Sequence, residues 1–277
     1  MYNKIYVEIT NICNMNCSFC HGHSRAPKQM SREEFVLVLD KIKGYTNFIY
    51  YHLMGEPLSH SKLPEFIKLS GEKGFKSIIT TNGTLLKKRG NALLDAGVHK
   101  VNISVHSFEE GTQEQFKNYL SDLVDFGNKA NDKGVIVVFR LWNNGYDNGR
   151  NEKIIDFLKN KFNTDWSVNL KGFKIKEKMF LEYGERFEWP DLNAKEQGSD
   201  VFCYGLRDHF GILSDGTVIP CCLDSNGIIN LGNIFTDNLS DILNSERAKA
   251  IKYGFDCRKA VEELCQKCGY AQRFGLK

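Results

Sequence analysis

The stretch Lys4-Ile5-Tyr6-Val7-Glu8-Ile9-Thr10, followed at once by Asn11-Ile12-Cys13-Asn14-Met15-Asn16-Cys17-Ser18-Phe19-Cys20, decides how the rest of the chain is read. Residues 4–10 alternate, with Ile5, Val7 and Ile9 sharing one side, so the segment reads as a β-strand. It runs straight into a polar loop holding three cysteines. In parallel α/β sheets ligands gather at the carboxyl ends of the strands, and this loop stands at such an end.

Working outward, Ser31-Arg32-Glu33-Glu34 is a capping-box pattern that opens a helix to about Lys43, with Phe35, Val38, Leu39 and Ile42 on one face. The same strand-then-helix rhythm recurs. Strand 47–53 precedes helix 63–73, strand 76–81 precedes helix 85–96, and strand 100–105 precedes helix 114–132. Strand 135–141 then precedes helix 152–161, and a sixth strand is expected at 166–170. Because a parallel neighbour needs a crossover, usually helical, the expected fold class is α/β. We read a partial (β/α)6 barrel over residues 1–172, an irregular connector over 173–200, and a small α+β cysteine-rich domain over 201–277.

Composition removes several function classes. With 42% hydrophobic and 26% charged residues and only five prolines among 277, the chain should fold as an ordinary globular protein. The 37 Lys and Arg against 34 Asp and Glu leave +3, too weak a bias to imply a nucleic-acid or membrane-surface partner. Apolar runs such as residues 134–139 stop far short of the ~18 needed to span a bilayer. Residues 1–5 carry no export signal, so a cytoplasmic location is expected. Nine cysteines cannot all pair, and in a reducing compartment clustered thiols suggest metal or redox chemistry.

Cys13, Cys17 and Cys20 spell C-x3-C-x2-C, a three-cysteine spacing expected by chance only roughly 0.007 times in a chain with this many cysteines. A zinc site completed by His21 or His23 is one reading, because structural zinc takes four ligands. Three thiolates on a four-iron cluster are the other, and they would leave one iron open to bind a cofactor. The segment resembles the signature loop of the radical S-adenosylmethionine (radical SAM) superfamily, which has an aromatic residue, here Phe19, just before the third cysteine. The resemblance implies that Cys13, Cys17 and Cys20 bind a [4Fe-4S] cluster whose open iron takes the amino and carboxylate groups of S-adenosylmethionine, with Phe19 near the adenine. Met54-Gly55-Glu56-Pro57 is similar to the family's Gly-Gly-Glu-Pro element, with Met54 in place of the first Gly, so Gly55 and Glu56 would receive the methionyl ammonium. Asn82, in Thr81-Asn82-Gly83, and Ser104, with His106 beside it, resemble positions that contact the cofactor's carboxylate or ribose.

A second set of cysteines brackets a hairpin signal. Ser214-Asp215-Gly216 lies between the short apolar runs 210–213 and 217–220, with Cys203 before it and Cys221 after it, and Cys265-Gln266-Lys267-Cys268 follows later. A zinc ribbon would fit four such thiols. The arrangement also resembles the auxiliary-cluster "twitch" domain, the smaller relative of SPASM domains, appended to some radical SAM enzymes. That resemblance implies one auxiliary [4Fe-4S] cluster on Cys203, Cys221, Cys265 and Cys268. Cys222 is open as a substitute for Cys221, and Cys257 as a substitute for Cys265.

What the resemblance implies for function is a radical SAM oxidoreductase. Its S-adenosylmethionine is cleaved to a 5′-deoxyadenosyl radical that takes a hydrogen atom from an unactivated C–H bond, and the remaining electron goes to the auxiliary cluster. The outcome would be a dehydrogenase-like, two-electron oxidation of a small hydroxylated metabolite. A peptide side chain as substrate and a non-catalytic iron–sulfur or zinc protein are the alternatives. A flavodoxin- or ferredoxin-type donor is the expected protein partner. Candidate proton acceptors near strand ends are Tyr51, His52 and Arg140, with Arg140 also read as an anion clamp, and the Lys-rich run 171–178 as either an anionic-substrate grip or a solvated edge strand.

Overall fold

The computed structural model describes residues 1–274. Five of the expected strands form as β1 (Lys4–Val7), β2 (Phe48–Tyr50), β3 (Lys76–Thr81), β4 (Lys100–Ser104) and β5 (Ile136–Asn144). The helices between them are α1 (Arg32–Ile42), α2 (Leu63–Glu72), α3 (Leu86–Asp95) and α4 (Gln113–Asp132), and α5 (Arg150–Phe162) follows β5. Ser31 caps α1 as its spacing requires: its side chain accepts from the Glu34 amide, and Glu34 reaches back to the Ser31 amide.

The sixth parallel strand is not where the sequence placed it. Residues Ser167–Asn169 form β6, an exposed outer strand, and turn at Gly172 into β7 (Gly172–Lys176), which leads to β8 (Met179–Glu185). It is β8 that pairs in parallel with β5, Val138 opposite Phe180 and Arg140 opposite Glu182, while β7 runs antiparallel to both β6 and β8. Gly172 explains the turn, since at φ +155° an added Cβ would collide with the Leu181 carbonyl oxygen. The expectation of an irregular connector over 173–200 is therefore corrected over 173–185, and the irregular chain in that span is confined to the residues after Glu185. The Lys-rich run is sheet, on the outer hairpin.

The hairpin expected around Gly216 forms as β9 (His209–Ile212) and β10 (Val218–Ile219). Strand β9 lies parallel beside β1, so one sheet runs in the order β10-β9-β1-β2-β3-β4-β5-β8-β7-β6. The cysteine-rich segment thus continues the barrel's sheet and then adds α6 (Leu239–Leu243), α7 (Glu246–Asp256) and α8 (Glu263–Gln266). The result is a partial (β/α)6 barrel with a cysteine-rich C-terminal extension. Among the described residues no helix is long and apolar enough to cross a membrane.

Alternation along the strands sorts the two faces. Ile5, Val7, Ile49, Tyr51, Ile79, Val101, Ile103, Val137, Phe139, Met179 and Leu181 belong to one apolar core with Phe35, Phe66, Leu93, Leu123 and Leu158 of the helices. Their neighbours Lys4, Tyr6, Tyr50, His52, Lys100, Arg140, Trp142 and Glu182 line a cavity on the opposite face. A parallel sheet covered on both faces ordinarily reads as continuous apolar runs. Here Lys4, Tyr6, Tyr50, His52, Lys100, Arg140 and Glu182 interrupt such runs because the inner face surrounds a cavity instead of a core.

Candidate active site

The three N-terminal cysteines lie on the loop after β1, close enough that each adds to the charge its neighbours feel. Burial raises Cys13, and it pushes Cys17 up to about 11, with Glu109, Cys13 and Cys20 adding repulsion. Thiols held neutral by burial and by one another ionise on metal binding, which supplies the missing positive charge. The two histidines expected to complete a zinc site, His21 and His23, are engaged elsewhere. His21 stacks on Trp189 and lies 3.5 Å from Asp191, and His23 Nε2 is 2.9 Å from the Asn11 carbonyl. Among the described residues no three His, Cys, Asp or Glu groups are gathered as they would be around a single ion.

The loops after β2 and β3 lock this loop in place. Gly55 has φ +75°, and an added Cβ would sit 2.8 Å from the Asn11 carbonyl carbon, so only glycine lets the second loop press against the first. Glu56 is buried, its Oε1 accepting from the Leu58 amide at 3.0 Å and its Oε2 from the Asn82 amide at 2.7 Å. Its carboxylate thus ties the β2 loop to the β3 loop. Asn82 in turn donates from Nδ2 to Asn14 Oδ1 at 2.9 Å, and its carbonyl accepts from Tyr119. Gly55, Glu56 and Asn82 are brought together as a brace around the cysteine loop, while Phe19 and Ser104 line open space.

That space is a cavity of about 470 Å³ at the carboxyl ends of the strands, lined by Phe19, Thr80, Ser104, His106, Arg186 and Trp189 among others. Phe19 is sandwiched, its ring 4.8 Å from that of His106 and 5.5 Å from the Arg186 guanidinium, and Trp189 Nε1 donates to its carbonyl. Arg186 and Trp189 come from the irregular chain after β8 and carried no sequence signal. A second cavity of about 570 Å³ lies deeper, between the polar inner face of the strands and the C-terminal cysteines. The two share His52, Arg140, Trp142, Phe187, Cys222 and Leu223 as walls.

Cys203, Cys221, Cys265 and Cys268 all line the deeper cavity. Burial raises all four thiols, Cys203 to about 11, and repulsion among them adds to it. Cys222 stands beside them but faces the barrel: it is in contact with the Tyr6 hydroxyl and lines both cavities. Cys257 is at the C-terminal end of α7, exposed, with Tyr253 as its partner, apart from the others.

Of the candidate proton acceptors, Tyr51 is removed. It points away from the cavity, its hydroxyl in contact with Ser70 and Ser77 and donating to the Phe66 carbonyl. His52 and Arg140 do line the cavities. Burial, with Arg140 and Lys4 adding repulsion, pushes the His52 imidazole down to about 3, which keeps it neutral. The alternation Lys4-Tyr6 and Lys100-Ser104 was the overlooked sequence signal, a polar stripe where a fully covered parallel strand would be apolar.

Comparison with known proteins agrees with this geometry. Residues 7–174 match the radical SAM superfamily model, and residues 203–269 match SPASM, an iron–sulfur cluster-binding domain. A GTP 3′,8-cyclase of Aquifex aeolicus is 26% identical over 93% of this chain and 85% of its own length. A probable GTP 3′,8-cyclase of Sulfolobus acidocaldarius is 36% identical, but the match spans 37% of this chain and about a third (34%) of that relative. Among solved structures, BtrN in complex with AdoMet and 2-DOIA aligns with TM-score 0.61 at 20% identity, covering 97% of this chain and 93% of BtrN. The anSMEcpe enzyme with bound AdoMet aligns with TM-score 0.64 at 15% identity, covering 99% and 91%. At these identities the structural likeness shows the fold alone. With the superfamily model covering more than half of its length, the chain belongs to the radical SAM superfamily, whose members use a [4Fe-4S] cluster with S-adenosylmethionine, and it carries a SPASM iron–sulfur domain.

Proposed function

We propose that this chain is a dehydrogenase-like radical SAM oxidoreductase acting on a small hydroxylated metabolite, with Cys13, Cys17 and Cys20 holding the catalytic cluster and Cys203, Cys221, Cys265 and Cys268 one auxiliary cluster. The observation that carries the reading is the pair of adjoining cavities. Phe19 and Ser104 line one end, the four C-terminal cysteines line the other, and His52, Arg140, Trp142 and Cys222 are walls of both. A molecule seated there stands between the two cysteine sets.

When bound, the cluster and S-adenosylmethionine supply a 5′-deoxyadenosyl radical able to take a hydrogen atom from an unactivated carbon. The chain's own residues position and seclude. Phe19, between His106 and Arg186, presents an aromatic wall for an adenine ring, and Ser104 offers a hydroxyl at the end of β4. Trp142, Arg186 and Trp189 are further walls of that space. An auxiliary cluster held by the four C-terminal thiols at the far wall would give the leftover electron a destination, which favours net oxidation over simple abstraction. Cavities of a few hundred Å³ match small-molecule sites, and this supports a metabolite over a peptide substrate.

The test is anaerobic reconstitution with iron, sulfide, S-adenosylmethionine and a reductant, followed by assay for 5′-deoxyadenosine. Production above a Cys17→Ala control is expected. A deuterium-labelled hydroxylated substrate should pass its label into 5′-deoxyadenosine and emerge as a carbonyl. Label transfer with a redox-neutral product would refute the oxidative reading and keep the radical one.

A further inference from the structure

Four cations gather around the deeper cavity, which they share with the proposed site of the auxiliary cluster. Lys4 of β1, Lys100 of β4, Arg140 of β5 and Lys171, at the turn before β7, all line it. Three carboxylates share the lining: Glu182, Asp208 and Asp224. Asp224 is spent on backbone, accepting from the Ile228 amide at 2.9 Å and the Ile229 amide at 2.8 Å. Asp208 acts on Lys4, and Glu182 is the carboxylate that Lys100 and Arg140 have in common. Among the described residues none of the four cations lies within 4.0 Å of a carboxylate oxygen, a range that twelve other pairs in the chain do reach.

What the cations do contact are aromatic faces. The Lys4 ammonium is 5.3 Å from the ring centres of both Tyr6 and Tyr50, and the Arg140 guanidinium is 4.5 Å from Trp142. Arg140 Nε is buried with no hydrogen-bond partner. Buried donors and clustered like charges destabilise a folded chain unless something else satisfies them. The field they create is felt across the cavity. Burial and the nearby cations press both His52 and His209 down, to about 3 and about 4, so neither adds to the charge.

We propose that Lys4, Lys100, Arg140 and Lys171 form the seat for an anionic group of the substrate, a phosphate or a carboxylate, in the lower barrel beside the C-terminal cysteines. The inference rests on the substrate cavity proposed above and names the class of molecule that fills it. A planar guanidinium and three ammonium groups suit a multidentate oxyanion, with Arg140 held in orientation by its stack on Trp142. Of the four cations, Arg140 is the one that also walls the Phe19 cavity. An anion held by Arg140 leaves the remainder of the molecule directed along the shared walls His52 and Trp142 toward Phe19.

Thermal unfolding of the anaerobic, cluster-loaded protein tests this, with inorganic pyrophosphate or malonate as probe and sodium chloride at equal ionic strength as reference. A rise in midpoint with either probe over chloride is expected, since a ligand that binds only the native state stabilises it. A larger rise with pyrophosphate assigns a phosphorylated substrate, and a larger rise with malonate a carboxylated one. In Lys100→Gln the midpoint without ligand should increase, because a repelling cation is gone, while probe affinity falls about tenfold or more; Lys100→Arg should retain affinity. No rise beyond chloride with either probe, or an undiminished rise in Lys100→Gln, overturns the proposal. Loss of the radical reading would show instead as absent 5′-deoxyadenosine, in an assay that needs no anion.

Discussion

Replacing Arg25 by Met should be among the most damaging single changes outside the cysteines. Glu8 is fully buried at the end of β1, and its counter-ion Arg25 is 11% exposed. The pair is bidentate, Nη1 donating to Oε1 at 2.8 Å and Nη2 to Oε2 at 2.7 Å. The same carboxylate accepts from the Ser214 amide and hydroxyl of the β9–β10 hairpin and from the Met54 amide, while Arg25 Nε donates to the Ser225 carbonyl. One ion pair thus joins the cysteine loop, the Gly55 loop and the C-terminal extension. Removing one partner of a buried pair costs about 3–5 kcal/mol, because the other charge stays behind without compensation. For a chain of this size that lowers the melting temperature by roughly 6–20 °C. Urea unfolding of Arg25→Met, Glu8→Leu and the double variant gives the coupling, and the double variant should recover part of the single losses. A cost below about 1 kcal/mol for Arg25→Met, the level of an exposed pair, would refute the reasoning.

Further outcomes follow from the same geometry. Burial pushes the Glu56 carboxyl from 4.5 up to about 7, so the native state holds a proton that the unfolded chain releases; its stabilising contribution is whole below pH 4.5 and lost as pH rises through 7. That gap is worth about 3 kcal/mol at 1.36 kcal/mol per pH unit, and urea unfolding at pH 4 and pH 8 should show the dependence reduced by that amount in Glu56→Gln. Gly55→Ala, which must leave its left-handed conformation or push back Thr10 and Asn11, should cost roughly 1–3 kcal/mol and weaken S-adenosylmethionine binding in equilibrium dialysis; unchanged binding would separate that loop from the cofactor. Cys265→Ala should lose about half of the bound iron and retain slow S-adenosylmethionine cleavage, whereas Cys257→Ala should keep all of its iron. Iron analysis after anaerobic reconstitution decides both, and an iron loss in Cys257→Ala would reassign the ligand set.

Local chemistry made the parts of this protein legible in its sequence. The C-x3-C-x2-C spacing, the Ser31–Glu34 capping box and the Ser214-Asp215-Gly216 turn each depend on residues a few positions apart, so the pattern is complete within the segment that carries it. The apolar periods of α1 to α5 and the strand cores were readable for the same reason. Segment 166–185 misled because its alternation is that of a strand in either place; only pairing with β5 distinguishes the outer hairpin from the sixth barrel strand, and pairing is a non-local property.

By itself the sequence determined the chemistry available: a thiol triplet after a strand, four more thiols around a hairpin, a repeating strand–helix rhythm. Tertiary structure alone decided what faces what. It turned Tyr51 toward α2 and His52 toward the cavity, spent Glu56 on two backbone amides, separated Cys257 from its fellows, and gathered Lys4, Lys100, Arg140 and Lys171 from four stretches of chain around one space. The physical reason is that residue type and spacing fix local hydrogen bonding and periodicity, whereas the charge, burial and company of a side chain are sums over neighbours that only the closed sheet brings within reach.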